Sequence, residues 1–121
     1  RHFGEAGGDM KPFKSIENAG CLSMIDDDTR THRIPYSLFS QTLTEEQTRN
    51  ILRRNFGMAL CRGQNLTLLP LNGGNEFDSP ETIRDLEIIR TPGNEALRRK
   101  AQRHAEIAVV VDEKIILYSI P

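Results

Sequence analysis

Cys21, His104 and Asp112 are the three side chains whose types could together activate a thiol. A thiol hydrolase requires a nucleophilic thiolate, a base that generates it and a group that orients the base. His104 stands just ahead of the apolar run 107–111, a position from which a core strand could hold a base firmly. The same residues have a plainer structural account. Cys21 reads equally as a small buried apolar residue, and His104 as a cation closing a helix, where it suits the dipole. Asp26, Asp27 and Asp28 follow Cys21 closely and oppose negative charge on its sulfur.

Two further groupings carry charge in patterns that chemistry uses. Asp112-Glu113-Lys114 has the acid-x-lysine spacing of metal-dependent nucleases, with Glu81 or Asp85 as earlier acids, but three charged residues between apolar runs are also what an exposed turn requires. Arg98, Arg99, Lys100 and Arg103 form a basic cluster that could contact phosphate or an acidic partner. Glu95 and Glu106 bracket it, which fits a solvated helix face. Asn65-Leu66-Thr67 matches the glycosylation triplet and is read as chance, because no secretion signal accompanies it. The glycine pairs Gly7-Gly8 and Gly73-Gly74 do not sit between a strand and a helix in a phosphate-binding pattern. No cofactor and no metal site is expected.

The chain order Cys21, His104, Asp112 resembles that of papain-like enzymes, which implies a small cysteine hydrolase with those residues as nucleophile, base and orienting acid. In that family the cysteine heads a helix, whereas Cys21 opens a segment read here as a strand. His104-Ala105-Glu106 looks like the zinc-binding half of the nucleobase deaminases, and fails because no cysteine follows it to complete the site. Arg62, Ser79 and Glu106 look loosely like the Arg, Ser, Glu order of ADP-ribosyltransferases, which implies a dinucleotide held by the first two. The spacings are shorter than that family uses, and Arg62 at a helix end and Ser79 as an N-cap have structural roles already. No family pattern spans the whole chain.

The elements that would position these groups follow from periodicity. Residues 1–20 hold Gly4, Gly7, Gly8 and Gly20 and no sustained period, which predicts an irregular or mobile arm, with the domain proper over 21–121. Residues 21–34 alternate apolar with polar around the aspartate run and read as a hairpin. Thr44 with Gln47 forms a capping box that opens a helix, whose inner face takes Ile51, Leu52, Phe56, Ala59 and Leu60 and whose stop is Gly63. Residues 66–71 read as a strand at a sheet edge, because Pro70 cannot donate to a ladder. Ser79-Pro80 opens a second helix with Ile83, Leu86 and Ile89 inward, ended by Pro92-Gly93. A third helix from about Asn94 would turn Ala96, Leu97 and Ala101 inward and the basic cluster outward. Residues 107–111 and 114–120 read as a C-terminal hairpin at the centre of the sheet.

The chain has 121 residues, 37% hydrophobic and 27% charged, which is enough for one modest core, and no apolar run approaches the roughly 18 residues needed to cross a bilayer. Sixteen Lys and Arg oppose seventeen Asp and Glu, so no long-range field draws nucleic acid or anionic lipid. Cys21 and Cys61 read as free thiols in a reducing, cytoplasmic setting. The start at Arg1 reads as that of a domain excised from a larger protein or of a processed product. The expected fold is therefore α+β: a single domain with a four- to five-stranded, largely antiparallel sheet, the C-terminal hairpin, and about three helices packed on one side. By elimination the expected function is a protein-binding module. Its surface would combine the N-terminal arm, the edge strand and the basic helix face, with weak self-association through the edge strand.

Overall fold

The computed structural model describes residues 13–34, 44–70, 74–99 and 106–107. Their order is α1 (Phe13–Asn18), β1 (Met24–Asp27), α2 (Glu45–Arg62), β2 (Asn65–Leu68), a 3-10 turn (Asn75–Phe77) and α3 (Pro80–Arg98). α1 lies within the stretch expected to be an irregular arm.

α2 begins where the capping box places it. Thr44 Oγ1 accepts from the Gln47 amide at 3.1 Å, and Gln47 Oε1 accepts from the Thr44 amide at 3.0 Å, so two otherwise orphaned donors are matched. Gly63, at φ 62° and ψ 33°, ends the helix in the left-handed region that an L side chain avoids. The buried face of α2 is Thr48, Ile51, Leu52, Asn55 and Ala59, with Phe56 and Leu60 half-buried beside it.

α3 starts at the expected cap, where Ser79 Oγ accepts from the Thr82 amide at 3.2 Å and Pro80 follows. Its expected stop at Pro92-Gly93 is overturned, since one helix continues to Arg98. Pro92 offers no N–H to the carbonyl of Ile88, a loss of about 3 kcal/mol in an exposed helix interior. Packing on α2 offsets it. A Cβ on Gly93 would stand 3.3 Å from Phe56 Cζ, so glycine lets the second half of α3 lie directly on that ring. Leu97, expected inward on a separate helix, is 80% exposed, and Ile83 and Ile88 also face outward.

The hairpin expected over 21–34 is also corrected. β1 pairs in parallel with β2, Met24 opposite Asn65 and Asp27 opposite Leu68. The physical reason lies in Asp27, whose Oδ1 accepts from the Thr29 amide at 3.0 Å and from Thr29 Oγ1 at 2.5 Å. That local turn ends the strand and makes Asp27 a buried anchor, with Asp26 and Asp28 exposed on either side, where a hairpin would have needed a solvent loop between paired strands. Parallel strands need a crossover connection, and α2 supplies it.

Arg49 meets Asp85 and Phe56 meets Gly93, so contacts advance together along both helices, and α2 and α3 run side by side in the same direction. The four- to five-stranded antiparallel sheet is thereby overturned. Among the described residues there are three α-helices and one two-stranded parallel sheet, and helix dominates. The expected C-terminal hairpin lies outside the described residues. Among them, no helix is long and apolar enough to cross a membrane.

Alternation along the strands divides the sheet. Ile25 and Asp27 are buried toward α2, with Leu66 and Leu68 half-buried alongside, while Met24, Asp26, Asn65 and Thr67 face out. The core formed by Ile25, Ile34, Ile51, Leu52 and Ala59 is small. Among the described residues, twice as many polar or charged residues as apolar ones are buried, so polar matching carries much of this part of the structure.

Candidate functional site

Two surfaces are built from these elements, one polar and internally matched, the other apolar and open. The polar one lies beyond the carboxyl ends of the strands. Asn55, fully buried on α2, donates from Nδ2 to Asp27 Oδ2 at 2.6 Å and to Thr29 Oγ1 at 3.3 Å. Its Oδ1 accepts from Arg54 Nη2 at 3.1 Å, which fixes the amide with its donor side toward the carboxylate. Two turns earlier, Thr48 Oγ1 accepts from the His32 amide at 3.0 Å and donates to the Thr44 carbonyl at 3.2 Å. His32 Nδ1 lies 3.2 Å from the same hydroxyl, and its Nε2 lies 3.9 Å from Glu45 Oε1. Arg33 Nε pairs with Asp78 Oδ1 at 2.9 Å, joining this loop to the segment before α3.

The strongest ionic feature joins α2 to α3. Asp85, nearly buried, accepts from Arg49 Nε at 2.6 Å and Arg49 Nη2 at 2.9 Å in a forked pair, and from Arg53 Nη2 at 2.8 Å. These donors, Arg49 foremost, hold its carboxyl down to about pH 2, against the opposing effect of burial. The pair orients helices and leaves no atom pointing at a ligand.

The apolar surface has two parts. A groove of about 600 Å³ runs between α2, β2 and the second half of α3, lined by Leu52, Phe56, Leu60, Leu66, Leu86 and Leu97 among others. Gln64 also lines it, but its Oε1 is sealed from solvent and has no hydrogen-bond partner, while Nε2 donates to Ser23 Oγ at 2.7 Å. Met24, on the outer side of the sheet, is 54% exposed, and Leu22, just ahead of β1, is 88% exposed.

Of the proposed thiol set, only Cys21 falls among the described residues. It is exposed, and its Sγ contacts the Ala19 carbonyl at 3.8 Å. His104 and Asp112 lie outside the described residues. Of the basic cluster, Arg98 and Arg99 are exposed at the end of α3, with Arg99 Nη2 paired to Glu95 Oε1 at 2.8 Å. Lys100 and Arg103 lie outside the described residues. Among the described residues no three His, Cys, Asp or Glu side chains converge to hold a metal ion.

Sequence reasoning passed over Asn55, Thr48 and His32. A signal was present, because Asn55 shares a helix face with Ile51 and Ala59, and an amide on an apolar stripe demands a buried partner.

The class these elements define is a parallel strand–helix–strand unit extended by a third helix. No protein-family model, curated protein or solved structure matches the chain.

Proposed function

We propose that the chain is a protein-binding unit acting through its apolar surface, with a partner polypeptide laid over the outer face of the β1–β2 sheet. The observation that supports this reading is the openness of a parallel sheet on the side of Leu22 and Met24. Parallel strands occur almost only in sheets covered on both faces. Here α2 covers one face, while the other leaves Met24, Asp26, Asn65 and Thr67 exposed, with Leu22 exposed just ahead of β1. Exposed Ile83, Ile88 and Leu97 on α3 add open apolar area to the five hydrophobic residues that are buried among the described residues. Arg98 and Arg99 add a basic rim at the far end of α3.

Sedimentation velocity over a concentration series tests this, because exposed apolar side chains associate with one another when their partner is missing. The expected result is a mass that rises with concentration, and a shift back to monomer for Leu22→Ser combined with Met24→Lys, with far-UV circular dichroism unchanged. Strictly monomeric behaviour throughout, together with no binding of an apolar-surface dye, would overturn the proposal.

A further inference from the structure

We draw no further inference here: the strongest candidate, the polar loop 28–34 beyond the carboxyl ends of the parallel strands, carries nothing because its buried Thr29 and Thr31 hydroxyls are hydrogen-bonded within the fold and the sealed Glu45 Oε1 beside it already faces His32 Nε2 at 3.9 Å.

Discussion

Asn55 and Asp27, both fully buried, meet at 2.6 Å and tie the middle of α2 to the end of β1. A buried carboxylate deprived of a donor keeps its desolvation penalty and loses its compensation. Asn55→Ala should therefore destabilise the chain by about 3 kcal/mol, read as a lower urea midpoint at unchanged slope. Asp27→Asn combined with Asn55→Ala should cost less than the sum of the two single changes. Strict additivity would show that the contact is not energetically coupled.

The Asp85 cluster gives stability a defined acid limb. Its folded carboxyl titrates near 2, below the 3.8 of an unfolded aspartate, so its contribution is fully present above about pH 4. It is lost as pH falls through about 2. Because Arg53 is exposed and Arg49 only half-buried, screening reduces this to roughly 1 kcal/mol. Thermal melts between pH 5 and 2 should show a steeper loss for the native chain than for Asp85→Asn, and parallel curves would refute the assignment.

Thr44 and Ser79 cap the two long helices through their side-chain oxygens. Thr44→Ala should cost about 1 kcal/mol, and Thr44→Asp should restore most of it, since an anionic acceptor suits the same amide. Chemical denaturation of both variants provides the check.

Gly93 and Phe56 should behave as a coupled pair. Alanine favours a helix interior by about 1 kcal/mol over glycine, but a methyl at position 93 would crowd the Phe56 ring, so Gly93→Ala alone should be close to neutral. In a Phe56→Leu background the same change should become stabilising. An equal effect in both backgrounds would remove the ring from the explanation.

Cys21 and Cys61 are exposed, so both should be alkylated by iodoacetamide without denaturant. Protection of either thiol until the chain unfolds, read by mass spectrometry, would contradict its placement.

What the sequence made legible was local. The Thr44–Gln47 box, the Gly63 stop and the Ser79-Pro80 start each rest on hydrogen bonds spanning three or four residues, and the structure holds them where the motifs put them. Pairing partners were not legible in this way. Residues 24–27 alternate as a hairpin strand would, yet their partner lies beyond α2, and period-two alternation says nothing of direction. Pro92-Gly93 misled for a related reason. Its usual meaning as a helix stop gives way where a neighbouring helix has a ring for glycine to lie against. Of the sites, Cys21 could be located but not its supposed companions, while Asn55 could have been flagged as an amide on an apolar face.

The parallel ladder also sets an order of assembly. Met24 and Asn65 are separated by roughly forty residues, so the first strand contact must close a long loop, whereas the caps and turns of α2 and α3 are local. Helical structure should accordingly appear before the strands join. The same asymmetry should make the amides of the strand pair open to exchange ahead of those in the middle of α2.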